Sequence, residues 1–172
     1  MDRRRADFDH FVADTTDGLL RTAFLIVWDL PEAEDIVQET LIELARRWPR
    51  VRRMEHPGAY ARRILVNRAL KGATRRARAR NELTGEPPID VADGGASADA
   101  VDAHDELTRA LAALPPRQRA VLVLRYFLDL PEAEVAAAMK CSLGTVKSTA
   151  SRGLARLEQA MRPSNDTRSI AT

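Results

Sequence analysis

At 172 residues the chain has room for one domain or two small ones, and its apolar fraction of 45% is enough to bury a core. Aromatics at 5% and charged residues at 30%, with abundant Ala, Leu and Arg, point to helices rather than an aromatic-rich β-sandwich. The lone cysteine, Cys141, excludes a disulfide framework and a cysteine-based zinc knuckle, and His10, His56 and His104 lack metal-ligand spacing; with no signal peptide and no apolar run long enough for a bilayer, a soluble cytoplasmic chain without cofactor is expected.

The apolar periodicity is helical almost throughout. Phe8, Phe11, Val12, Leu19, Ala23, Phe24 and Val27 form one stripe, predicting a first helix over about 7–28. Asp29 precedes Pro31, a residue favoured at a helix start. Ala33, Ile36, Val37, Thr40, Leu41, Leu44 and Trp48 then continue at helical spacing, and Pro49 is expected to stop this second helix. A basic loop leads to Pro57, which opens a third helix through about Arg76, with Ala61, Ile64, Leu65 and Ala69 inward.

Residues 81–103 lose the periodicity and hold Pro87-Pro88, Gly94-Gly95 and many small or acidic residues, the composition of a flexible linker. Four shorter helices follow. Leu107, Ala110 and Leu111 mark the first, and Pro115-Pro116 begins the next, with Val121, Leu124 and Leu128 inward. Pro131 opens another, carrying Val135, Ala136 and Met139, and the last runs from about Leu143 to Met161. The hexamer DLPEAE occurs at Asp29–Glu34 and again at Asp129–Glu134, but the match ends at once, so both copies read as similar helix starts with acids at the positive end.

The net charge of +2 hides segregation. Residues 29–43 carry six acids and no base, and residues 44–80 thirteen bases against the single acid Glu55. Residues 81–108 reverse again with eight acids and no Lys or Arg, and from Arg109 onward ten bases face five acids. Two basic blocks around an acidic connector suggest two contacts with a polyanion, against the simpler reading of solvated helix faces.

PEAEVAAAMKCSLGTVKSTASRGLARL has the layout of a helix-turn-helix. Lys140-Cys141 turns the chain, Ser142 is placed to cap the next helix, and Ala136 allows close approach. Val146, Ala150, Leu154, Leu157 and Met161 share one arc of the last helix; Lys147, Ser148, Ser151, Arg152 and Arg156 share the opposite one. Small, hydrogen-bonding and cationic side chains suit a helix in the major groove, although a helical hairpin with a solvated outer face has a similar pattern. The expected fold is all-α: two small helical bundles joined by a flexible acidic linker, the C-terminal one containing the helix-turn-helix.

PEAEDIVQETLIELARRW and CSLGTVKSTASRGLARL together resemble the extracytoplasmic-function sigma factors of bacterial RNA polymerase, small members of the sigma-70 family. The resemblance implies sigma domain 2 over 7–77, a linker over 78–103, sigma domain 4 over 104–162 and a disordered tail over 163–172. It implies that Asp35, Gln38 and Glu39 bind the clamp helices of the largest polymerase subunit, an acidic, amide-bearing face on a basic coiled coil. The third helix would engage the minus-ten element. Tyr60, Arg63, Asn67, Lys71 and Thr74 form a polar stripe opposite Ile64 and Leu65, Asn67 would read a flipped base, and Arg62, Arg75 and Arg76 would hold phosphates. Lys147, Ser148, Ser151, Arg152 and Arg156 would bind the minus-thirty-five element, Thr149 standing where relatives are often basic and so losing a phosphate anchor.

The implied partners are core polymerase, including the flap of its second-largest subunit, and promoter DNA; many relatives are also held by an anti-sigma factor. The protein would itself catalyse nothing. The alternatives are a helix-turn-helix regulator that never binds polymerase, which leaves residues 29–48 without a purpose, and an enzyme, for which no nucleophile–base pair, phosphate-cradling loop or metal constellation speaks.

Overall fold

The computed structural model describes residues 3–84 and 104–162, which are helical with short turns. Three long helices form the N-terminal bundle: α1 (Arg3–Val27), α2 (Leu30–Val51) and α3 (Pro57–Thr84). The C-terminal bundle holds α4 (His104–Ala112), α5 (Pro116–Leu122), α6 (Glu132–Met139) and α7 (Leu143–Ala160). A π-turn, Val123–Phe127, extends α5.

Helix α1 ends when Trp28 turns left-handed (φ 60°), its N–H bonding the Phe24 carbonyl at 2.7 Å. Asp29 is extended, and its carboxylate accepts the Glu32 N–H at 2.8 Å, satisfying one of the free donors of α2. The buried row of α2, from Ala33 and Ile36 to Leu44 and Trp48, packs on Leu19, Ala23 and Ile26 of α1. Trp48 lies against Phe8 and Phe11, with ring centroids 5.1 and 5.0 Å away.

Pro49 does not stop α2, which runs on to Val51. A proline forfeits one intrahelical bond and crowds the carbonyl four residues back, a cost that falls here only two residues before the helix end. Here the ladder resumes at once, as the Arg52 N–H bonds the Trp48 carbonyl at 3.0 Å, and the fully buried Val51 anchors the last turn. Helix α3 likewise passes Arg76 and continues to Thr84, inside the stretch expected to be linker. Ala61, Leu65 and Ala69 are buried as expected, joined by Val66. The rest of the expected linker, 85–103, and the tail, 163–172, lie outside the described residues.

The two DLPEAE copies fold differently. Asp129 is left-handed (φ 51°) and caps nothing; α6 starts three residues later, after Pro131, without a side-chain cap. The preceding segment decides this. The π-turn bonds Leu128 N–H to the Val123 carbonyl and Leu130 N–H to the Leu124 carbonyl, both at 3.0 Å, so the chain must reverse at Asp129. In the first copy Trp28 has already made that reversal. Both copies still place acids in the first turn: Glu32 in α2, and Glu132 and Glu134 in α6.

The helix-turn-helix forms as read. Lys140 takes the left-handed conformation (φ 52°) that ends α6, and Ser142 caps α7 by accepting the Thr145 N–H at 3.1 Å. The inward face of α7 is different from the expected one. Val146, Thr149 and Gly153 are buried, whereas Leu154 and Met161 are 42% and 40% exposed; Leu107 of α4 is also largely exposed. The close approach of α5 at Gly153 rotates this face away from the leucine stripe.

The two bundles share one apolar core. Leu19, Ile26, Leu65 and Val66 of the first cluster with Val121, Leu124, Val135 and Ala138 of the second. Helix α1 meets α5 and the π-turn, and α3 meets α6.

Candidate nucleic-acid and polymerase interface

The surface of α2 opposite its apolar row presents Asp35, Gln38 and Glu39, all exposed. They are not equivalent. Glu39 and Glu43, one turn apart, both face Arg68 of α3: Nη1 meets Glu39 at 2.5 Å and Nη2 meets Glu43 at 2.7 Å. Glu39 therefore ties α2 to α3, while Asp35 and Gln38 face outward and pair with none of the described residues. The sequence shows the two acids one turn apart on α2, but not the cation of α3 that bridges them.

On α3, Tyr60, Arg63, Asn67 and Lys71 line one cleft of about 400 Å³, together with Arg47 and Glu43 of α2 and Lys140 from the helix-turn-helix. Ile64 lines the same cleft, so it lies beside the polar stripe and not opposite it, four residues from Tyr60 and thus one turn along. Arg47 Nη1 donates to the Tyr60 hydroxyl at 3.0 Å, a bond that raises the arginine's pKa and fixes the ring. The Asn67 amide nitrogen donates to the Arg63 carbonyl at 2.5 Å and to the Ala138 carbonyl of α6 at 2.9 Å. Arg62 pairs with Glu134 at 3.8 Å, and Arg76 pairs with Glu32 of α2. Lys71, Thr74 and Arg75 line a second opening, beside Arg117 and Lys140. Tyr60, Arg63, Asn67, Lys71, Thr74 and Arg75 are thus gathered on one side, whereas Arg62 and Arg76 lie off this stripe and, like Asn67, have partners within the chain.

Helix α7 presents Lys147, Ser148, Ser151, Arg152 and Arg156, all exposed, on the face away from α5. Arg152 lies along the helix, Nε donating to the Ser148 carbonyl at 3.3 Å and Nη2 to the Thr149 hydroxyl at 3.5 Å. Lys147 reaches Glu132 of α6 at 3.7 Å. Thr149 is buried, 6% exposed, so it is no lost phosphate anchor: a cation there would have to be desolvated against the core.

Arg119 escaped the reading from sequence altogether. It lies in a short helix between buried neighbours, Gln118 and Ala120, where no periodicity separates an inward cation from an outward one. Among the described residues no group of His, Cys, Asp and Glu could hold a metal ion, and no helix is long and apolar enough to cross a membrane.

Known proteins share this arrangement. Residues 5–79 match the family model of sigma-70 region 2, and residues 104–157 that of sigma-70, region 4. The chain is 34% identical over 160 residues to the RNA polymerase sigma-E factor of Streptomyces coelicolor, a match covering 90% of this chain and 86% of that one. It is 32% identical over 188 residues to the ECF RNA polymerase sigma factor SigG of Mycobacterium tuberculosis, covering 95% of this chain and 50% of the relative. Among solved structures, the sigma factor RpoE of Bartonella quintana, in complex with the anti-sigma factor NepR, superposes with a TM-score of 0.70 at 25% identity, over 92% of this chain and 98% of the other. With both sigma regions in order and the Streptomyces relative matched over 86% of its length, the chain belongs to the extracytoplasmic-function sigma factors of the sigma-70 family.

Proposed function

We propose that this sigma factor binds core RNA polymerase through the acidic face of α2, directs it to promoters through α3 and α7, and helps open the DNA. The observation that carries the proposal is the pair of outward surfaces with complementary chemistry. Asp35 and Gln38 on α2 are free for a basic coiled coil, the clamp helices. Lys147, Ser148, Ser151, Arg152 and Arg156 on α7 suit the major groove of the minus-thirty-five element, cations taking phosphate or guanine edges and hydroxyls closing the remaining bonds.

Tyr60, Arg63, Asn67 and Lys71 suit an unpaired minus-ten strand. The ring offers a base-stacking surface worth about 1–3 kcal/mol, the amide can read a base edge, and the cations take phosphates, joined by Arg75 and, once Glu134 and Glu32 release them, by Arg62 and Arg76. Sigma domain 2 would then span 7–77 and sigma domain 4 span 104–162, with 78–103 as connector and 163–172 as tail. The C-terminal bundle would also meet the flap of the second-largest subunit, and the superposition with a sigma factor bound by an anti-sigma factor supports a partner of that kind here. The protein performs no chemistry of its own, phosphoryl transfer belonging to the polymerase, and it acts in the bacterial cytoplasm where polymerase does.

A helix-turn-helix regulator independent of polymerase would need neither the sigma region 2 match nor an acidic face on α2. Titration with purified core polymerase tests the point. Tight binding, and initiation at a promoter that core alone does not use, is the expected result; a chain that binds promoter duplex but never core would refute the proposal.

A further inference from the structure

Helix α3 treats its cations in two ways. Arg62, Arg68 and Arg76 each have a glutamate partner on α6 or α2. Lys71 and Arg75, both exposed, pair with none of the described residues. They line an opening of about 590 Å³ where the two bundles meet, together with Arg117 of α5 and Lys140 of the helix-turn-helix. Those two cations are likewise exposed and without a partner among the described residues. No Asp or Glu is among the described residues lining this opening, whereas the neighbouring cleft holds Glu43. Four positive charges from three separate segments thus converge without a counter-charge, and an anion seated among them removes their mutual repulsion.

Neither cation of the C-terminal bundle is explained by packing. Arg119, two residues beyond Arg117, is buried and donates to the Ile26 and Ala112 carbonyls at 2.8 and 2.7 Å, near the ends of α1 and α4. Arg117 points instead to the opening. Lys140 ends α6 in the left-handed conformation, where glycine is the usual residue, so the backbone gains nothing from a lysine. The uncharged groups have little left to give an anion. Thr74 donates its hydroxyl hydrogen to the Leu70 carbonyl at 3.0 Å, and the Asn67 amide nitrogen is engaged with the Arg63 and Ala138 carbonyls. Their oxygens remain as acceptors, and Leu70 and Met139 add an apolar wall.

We infer that this opening is a binding site for a small oligophosphate, a chain of two or more phosphoryl groups, free or carried by a nucleoside. Its volume falls within the range of about 300–1,000 Å³ of small-molecule sites, and the cations supply the charge-assisted donors that a phosphate chain takes. The acceptor oxygens and the apolar wall suit the hydroxyls and base of a nucleoside. The anion bridges α3, α5 and the turn of the helix-turn-helix, so it stabilises the folded chain by mass action. The inference does not depend on which promoter element α3 reads, although Lys71 and Arg75 are also the proposed phosphate contacts of the minus-ten strand.

Calorimetric titration of the full chain with inorganic tripolyphosphate, and in parallel with GTP, in magnesium-free buffer tests the site. Tripolyphosphate should bind one per chain and raise the unfolding midpoint. Tighter binding of GTP adds the nucleoside to what is recognised; equal or weaker binding confines recognition to the phosphates. Arg117→Gln and Lys140→Gly should each weaken tripolyphosphate binding by about tenfold, as for one charge-assisted bond lost. Arg53→Gln, which removes an exposed cation lining neither opening, should leave it within about twofold. Both test positions are exposed and glycine suits the left-handed turn, so both variants should fold; if one does not, the other decides. Several tripolyphosphate ions bound alike per chain, or an equal loss in Arg53→Gln, would reduce the site to diffuse attraction by a basic surface. Unchanged tripolyphosphate affinity in Arg117→Gln and Lys140→Gly, with weakened binding of single-stranded minus-ten DNA, would assign both cations to DNA. Either result overturns the oligophosphate site and leaves the sigma function standing.

Discussion

Gly153 sets the seat of the recognition helix, and replacing it puts two effects of known size in opposition. An added Cβ would stand 3.2 Å from Leu122 Cδ1, 3.3 Å from its Cγ and 3.4 Å from Gln118 Cβ. Neither neighbour is a loose end, since both are 4% exposed. Alanine is about 0.8–1.0 kcal/mol better than glycine in a helix interior, whereas an overpacked methylene costs about 1–3 kcal/mol. Gly153→Ala should therefore be near neutral, within about 1 kcal/mol, the propensity gain offsetting a shift of a few tenths of an ångström. Gly153→Val adds two further methyls and a β-branch at the same contact, and packing wins: a loss of about 2–3 kcal/mol is expected. Ala155→Val, on the exposed face of the same helix, should cost only its propensity, about 0.5 kcal/mol. Urea unfolding followed by circular dichroism gives the midpoints, and titration with minus-thirty-five duplex reports whether α7 has moved. A Gly153→Val protein as stable as Gly153→Ala, with unaltered duplex affinity, would refute the claim that close helix approach fixes α7.

Gln38→Ala should leave the unfolding midpoint unchanged and weaken core-polymerase binding by about 1–2 kcal/mol, as expected of an interface anchor. Glu39→Gln should lower stability by up to about 1 kcal/mol through the partly exposed Arg68 pair, and that loss should disappear in an Arg68→Met background; persistence there would show that the pair is not its cause. Arg152→Ala should weaken minus-thirty-five duplex binding by about 1–3 kcal/mol and relax one base preference if the guanidinium leaves Ser148 to read a base. An equal loss on every sequence, with a shallower salt dependence, would reassign it to phosphate.

The sequence by itself determined the helices, their order and the chemistry of their outer faces, because these follow from near-neighbour rules. Apolar spacing of 3.6 residues, Asp29 and Ser142 as caps, and prolines at helix starts act within a few residues of chain. The same locality explains why the Lys147–Arg156 face of α7 and the acidic face of α2 were legible. Where a neighbour far along the chain competes, local rules lose. Pro49 is carried through because Trp48 and Val51 are buried on either side of it, and the second DLPEAE turns differently because a π-turn precedes it. Thr149 faces the core although it sits among exposed polar and cationic residues, since α5 approaches at Gly153 and rotates the buried arc. Glu39 belongs to the exposed acidic face of α2 by its spacing, but its position opposite Arg68 exists only once α2 and α3 pack. Asn67 meeting Ala138, and Arg119 joining the ends of α1 and α4, span 71 and 93 residues of sequence, respectively. Only the tertiary structure could decide them, because a buried guanidinium is stable solely where two helix ends from different parts of the chain converge on it.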